Sequence, residues 1–409
     1  MQVARGYSQF ASYRSLPWEY PARKRYRMLC WEYLRGYALS MTVDPAGIES
    51  DDLLQAAAAA GHPVSERLLE EFRSRAQGLL PHPQRGPNRG RKPVWLYPPG
   101  AERQLVSLMR WREHTKDRNV LRVLLWLDGF PIATSAVRES VSASLTTMTQ
   151  TLERELEAEA SRRELDPASD REAALNSMAS TLAARRGPNA LPRTVRVTAS
   201  ERTKAVELML RLFAFGETLD TTEEEAETVE RVLGVSPGRR QRVDGDGPWL
   251  VGPAQDLFDA AQVISVPRMA ETLVDATDAE LESARQLVAM LFRFLPLVAR
   301  MIGAVFGNDN YAGMERVGHL DDHPEFVMLL VPMVVAMIRA GWQENLDTIA
   351  TALEPFPALT AEIRRVLDMP SNEVERNLEG QPAAVQRQAH RLIEAAVDGK
   401  LNQAPHRRP

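Results

Sequence analysis

GHPVSERLLEEFRSRAQGLLP, residues Gly61 to Pro81, opens on one turn and closes on another. His62-Pro63-Val64-Ser65 follows a glycine suited to stopping a helix, and the Ser65 hydroxyl can cap a second helix from Glu66 to about Ala76. Val64, Leu68, Leu69, Phe72 and Ala76 fall on one side of that helix at the 3.6-residue period. Upstream, Ser50 or Asp51 caps a first helix that runs through Leu53, Leu54 and an alanine run to Gly61. Two short helices joined by a four-residue turn make a helix-turn-helix candidate.

Downstream of Pro81 the chain becomes basic and irregular. Arg85, Arg89, Arg91 and Lys92 stand among Gly86, Pro87, Asn88, Gly90 and Pro93, so little side-chain bulk keeps the loop from a charged surface. Phosphate is its natural partner, because the guanidinium fork matches phosphate oxygens and neutralising them releases counterions. A solvated loop is the other reading. Val94-Trp95-Leu96-Tyr97, between Pro93 and Pro98, is strand-like and closes a hairpin, a wing. Pro99 suits the first turn of a third helix carrying Leu105, Leu108 and Met109, and a fourth, Val120 to Leu127, is apolar on most sides and belongs to a core.

These elements together resemble the winged helix-turn-helix of the MerR family of transcription regulators, over residues 50–130. The resemblance rests on Val64-Ser65-x-Arg67 opening the second helix and Gly78-Leu79-Leu80-Pro81 closing it. The glycine-rich basic wing ending in Tyr97, the Leu105/Leu108 helix and Arg122-Val123-Leu124-Leu125 complete it. The Val-to-Gly distance is two residues longer than the family pattern, and Glu70, Glu71 and Phe72 replace an expected arginine and paired tyrosines. The resemblance implies a second helix in the major groove and a wing on the DNA backbone. Its DNA-binding residues would be Ser65, Arg67, Arg73, Ser74, Arg85, Arg89, Arg91, Lys92 and Tyr97. Glu66 and Glu70 share the outer face with Arg67, Arg73 and Ser74, and glutamate can accept from cytosine. The same face also reads as plain domain surface.

Charge supports a basic module on an acidic body. Between His62 and Arg122 thirteen Lys/Arg oppose six Asp/Glu, a net +7, which leaves −12 for the remainder of a chain whose total is −5. At 409 residues, 44% hydrophobic and 26% charged, the chain reads as a globular protein of two or three domains. The single cysteine, Cys30, rules out a disulfide framework or a cysteine-built zinc site within one chain, and with them the metal- and thiol-sensing mode of part of the family the chain resembles. That usage fits a reducing cytoplasm, and the N-terminus shows no signal-peptide pattern. The longest apolar run, Phe326 to Ile338, is 13 residues and holds a proline, short of the roughly 20 that cross a bilayer, so no membrane is expected.

Residues 1–49 interleave aromatic and basic side chains, either as an arm touching nucleic acid or as a helix at about 22–39 packing on its neighbour. In 131–165, Val141, Leu145, Met148, Leu152 and Leu156 form a near-heptad stripe on a coiled-coil-like helix. The family resemblance makes this a dimerisation helix, while packing within its own chain explains the spacing equally well. Residues 166–197 read as a linker and 402–409 as a tail. From 198 to 401 the pattern is all-α, with capping boxes at Thr222-x-x-Glu225 and Thr277-x-x-Glu280. Helices are predicted at about 200–215, 254–264, 278–306, 325–340, 343–353, 358–368 and 382–397.

No catalytic constellation stands out. His319-Leu-Asp-Asp-His323 lacks the glutamate of a metalloprotease helix, Asp244-Gly-Asp-Gly247 lacks calcium-loop spacing, and no cofactor is implied. Met290, Phe292, Phe294, Met301, Phe306, Met328, Met333 and Met337 could line an effector pocket or be core. The expectation is a mainly α protein: a winged helix-turn-helix, a coiled-coil-like helix and an all-α C-terminal domain. It would be a cytoplasmic, homodimeric regulator that binds double-stranded DNA and answers to a small-molecule or protein effector. A protein–protein adaptor that keeps the winged fold without DNA binding is the alternative.

Overall fold

Local signals account for where the helices begin and end. The computed structural model describes residues 47–74, 78–86, 94–166, 169–186, 197–234, 261, 263–306, 316–353, 365, 369 and 371–397. In chain order these form β1 (Ile48–Glu49), α1 (Ser50–Ala59), α2 (Glu66–Arg73), β2 (Gln84–Arg85), β3 (Trp95–Tyr97), α3 (Ala101–Arg112), α4 (Arg118–Leu127), α5 (Thr134–Arg162), α6 (Arg171–Ala184) and α7 (Ala199–Met209). A π-helical turn, Leu210–Ala214, extends α7. Then come α8 (Glu223–Leu233), α9 (Val266–Val274), α10 (Asp278–Phe306), α11 (Val327–Arg339), α12 (Gln343–Leu353), α13 (Ser371–Leu378) and α14 (Ala383–Val397).

The protein is thus mainly helical with one small sheet. No helix among the described residues is long and apolar enough to cross a membrane. The N-terminal aromatic segment, the tail, and most of the helices expected at 254–264 and 358–368 lie outside the described residues.

The chain divides into two compact units. In the first, the three strands form an antiparallel sheet in the order β1-β3-β2, with Ile48 opposite Tyr97, Gln84 opposite Leu96 and Arg85 opposite Trp95. Gly86 joins this sheet through its amide, which donates to the Val94 carbonyl at 2.8 Å. A Cβ on Gly86 would meet the Leu96 Cδ1 at 2.7 Å, so a larger residue there would have to displace that leucine.

The second unit holds the helices from Asp51 to His82 and from Gly100 onward. Its largest core unites Val120, Val123, Leu124 and Trp126 of α4 and Val137, Val141 and Leu145 of α5 with α9, α10 and α11. A second core joins Leu156 and Ala160 of α5 to Leu175 and Met178 of α6 and Val206 of α7. A third joins Ala205, Leu208 and Leu212 to Val229 and Val232 of α8. Pro332 sits inside α11, where a proline costs about 3 kcal/mol. Val327, Val331, Val334 and Val335 of the same helix are fully buried at about 1.5–3 kcal/mol each, and burial wins.

Two features depart from the expectations. Arg171–Ala184, read as part of a linker, is a 14-residue helix with Ala174, Leu175, Met178, Ala179 and Ala183 buried. Helices α9 and α13 were not foreseen. Phe292 and Met328 are buried core residues, and Met333 and Met337 pack against the same cluster.

Candidate nucleic-acid interface

Helix α2 is held by its two ends. Ser65 takes an extended backbone, and its Oγ accepts from the Leu68 amide at 3.3 Å, as the sequence predicts for the N-cap. Ahead of it, the His62 amide donates to Ala57 O and the Gly61 amide to Ala58 O, with Gly61 at φ 86°, the bonding pattern that closes a helix on a left-handed glycine. At the far end the Leu79 and Leu80 amides both donate to Phe72 O, and the Gln104 side chain donates to Leu79 O at 2.8 Å. Leu69 and Phe72 are buried, and the Arg112 guanidinium lies 4.9 Å from the Phe72 ring centroid. These contacts tie α2 to α3.

The outer face of α2 is less basic than its arginines suggest. Glu66, Arg67, Glu70 and Glu71 are exposed. Arg73 donates from Nη2 to Glu70 Oε1 at 3.1 Å, so its charge is matched within the helix. Ser74 is the C-cap and half-buried, its backbone N–H shared between Glu70 O and Glu71 O. Three carboxylates therefore face two guanidiniums, and attraction for phosphate at α2 falls to Arg67.

In the strand unit, Arg85 is exposed on β2. Arg89, Arg91 and Lys92, and Arg75 of the basic window, lie outside the described residues. Between Ser74 and Glu102 the sequence carries five Lys/Arg and no Asp or Glu, so the positive excess belongs to this stretch and not to the face of α2. Tyr97 requires a correction as a DNA-binding residue: its relative exposure is 0%, so its side chain packs and cannot touch a ligand in solvent. Trp95, passed over in the sequence reading, is 44% exposed. Strand alternation puts both aromatics on one face, yet only Tyr97 is covered.

Arg122 also changes meaning. It counts toward the basic window but is only 7% exposed; Nη1 donates to Ser140 Oγ at 2.7 Å, and Ser140 Oγ donates to Ala136 O. Burial first, then the charge of Arg118, pushes its pKa below the ordinary arginine value. It fastens α4 to α5.

The stripe proposed for pairing two chains is filled from within one. Val141 and Leu145 belong to the large core and Met148 packs against it, while Leu156 belongs to the second core and Leu152 packs against that. A near-heptad spacing reports an apolar seam, not whose helix fills it. His319 sits in an exposed turn with Nδ1 3.2 Å from Asp322 Oδ2. Among the described residues no group of three or more His, Cys, Asp or Glu is placed to hold a metal ion.

Comparison of the chain with known protein families, with curated proteins and with solved structures finds no match.

Proposed function

We propose that the protein is a DNA-binding regulator that uses α1–α2 as a helix-turn-helix and the β2–β3 hairpin as a basic wing, with the remaining helices serving an effector or partner. The observation that carries this reading is the acid-free stretch between Ser74 and Glu102, in which Arg85, Arg89, Arg91 and Lys92 flank and fill the connection between β2 and β3. Phosphate contact resides chiefly in the hairpin connection, since α2 offers Arg67 against three carboxylates. Base contact by α2 then favours cytosine, whose amino group glutamate accepts from. No role is kept for the α5 stripe in pairing chains, because its residues are already packed.

The test is the affinity of the purified chain for random-sequence duplex DNA at several salt concentrations, beside a variant with Arg89, Arg91 and Lys92 all changed to alanine. Binding by the wild type with a steep salt slope, reduced by about three units in the variant, supports the reading. Absence of binding even at low salt rejects it. One observation favours the second reading, a protein–protein adaptor: the exposed Glu66, Glu70 and Glu71 with Arg73 neutralised by Glu70 suit a basic protein partner better than a polyanion.

A further inference from the structure

We infer that Trp95 is a second kind of DNA contact on the hairpin, one that lays its indole against a sugar or base edge and adds affinity that salt does not remove. The inference rests on the DNA-binding reading above and extends it to a side chain that reading did not use.

The sheet register carries the argument. Gly86 and Val94 form a hydrogen-bonded pair at the hairpin's inner end, so Arg85 and Trp95, the next pair along, are a non-hydrogen-bonded pair. In such pairs the two side chains stand on one face, with Cβ atoms about 4.5–5.5 Å apart. Trp95 and Tyr97 share that face. Tyr97 is fully enclosed, yet Trp95, one repeat nearer the connecting loop, keeps 44% of its surface in water. The largest apolar side chain a protein can offer is therefore presented beside an exposed arginine, at the hairpin end of the sheet. The sheet's one carboxylate among the described strand residues, Glu49 on β1, pairs with Leu96 and so belongs to the opposite face.

A flat aromatic ring beside guanidinium groups matches a nucleotide, in which an apolar ring or sugar edge lies next to a phosphate. Duplex DNA is favoured over an anionic membrane because interfacial binding rests on an apolar face several residues wide. Here one large side chain is exposed on a strand whose neighbours Leu96 and Tyr97 are covered wholly or in part.

The experiment measures binding of the full chain to a fluorescein-labelled random-sequence duplex over a salt series, for wild type, Trp95→Ala, Trp95→Phe and Arg85→Ala. The expected result for Trp95→Ala is a log–log line parallel to wild type and about tenfold weaker at every salt concentration. Trp95→Phe should recover most of that loss, and Arg85→Ala should flatten the slope by about one unit. Circular dichroism and a thermal melt matching wild type establish that each variant is folded, with Trp95→Thr, which removes the ring but keeps a strand-forming residue, carrying the comparison if the alanine variant is not.

Superposition of the folded Trp95→Ala variant, or of Trp95→Thr in its place, on wild type overturns the inference while leaving the DNA reading intact. A flattened slope in Trp95→Ala also overturns it, since Trp95 would then act by placing the arginines. If wild type ignores the duplex, the DNA reading itself fails and takes this inference with it; binding instead to phosphatidylserine vesicles, lost in Trp95→Ala, would assign the hairpin to a membrane.

Discussion

Glu164 holds a left-handed backbone, φ 57°, just beyond the end of α5, with its amide donating to Ser161 O and the Leu165 amide to Ala160 O. That bonding pattern ordinarily ends on glycine, because a Cβ in the left-handed region costs about 1 kcal/mol. Glu164→Gly should therefore raise stability by up to about 1 kcal/mol in a denaturant melt, although it removes an exposed side chain. Glu280 makes a prediction of another kind. Its carboxylate accepts from Arg339 Nε at 2.8 Å and from the Thr277 amide at 2.7 Å, and these bonds, the arginine's first, hold its pKa down at about 2. A lowered carboxylate pKa stabilises the fold above the unfolded value and is lost as pH falls through the folded one, here from about 4.5 toward 2. With the side chain 24% exposed, about 1–2 kcal/mol survives screening. Wild type should be that much more stable than Glu280→Gln at pH 7, and the gap should narrow by pH 3. Residue roles of this local kind were legible: the Thr222 and Thr277 capping boxes and the Ser65 cap need only neighbours three residues away. The different fates of Trp95 and Tyr97 were not, because the same alternation serves a covered and an uncovered end of a strand.

Among the elements, α5 and α6 show where periodicity stops informing. The α5 stripe was legible as an apolar seam, but its partners in α9 to α11, and in α6 and α7, lie far along the chain or in residues read as linker. Leu145, 1% exposed, is the position to test: Leu145→Ala should cost about 2–4 kcal/mol in thermal or chemical unfolding and leave the sedimentation coefficient of the folded protein unchanged. A shift in oligomeric state would contradict intrachain packing. Helix α6 escaped the sequence reading because three of its five buried residues are alanines, Ala174, Ala179 and Ala183, which permit close approach without marking an apolar face. A buried polar contact holds it as well. Ser177 Oγ donates to Glu159 Oε1 at 2.6 Å, and that hydroxyl, followed by Arg162 and Arg163, lowers the Glu159 pKa against the opposing effect of burial. Ser177→Ala should destabilise by about 1–3 kcal/mol, because the carboxylate loses a donor where water cannot replace it. By contrast, the exposed pairs Arg171–Glu153 and Arg185–Glu155 are worth about 0–1 kcal/mol each.

For the whole molecule, the mainly helical character and most helices were legible in the sequence, but the grouping of helices was not. Proximity along the chain assigns α4 to a module ending near residue 130, whereas its Val120, Val123, Leu124 and Trp126 side are in one core with α9, α10 and α11. Excising residues 47–130 would bare that side, so the fragment should show no cooperative thermal transition, while the full chain should. Biosynthesis meets the same arrangement in time. α4 leaves the ribosome roughly 200 residues before Ala336 completes its core, an interval of about 10–40 s at ordinary elongation rates. Throughout that interval the indole and valines of α4 lack the side chains of this chain that will cover them.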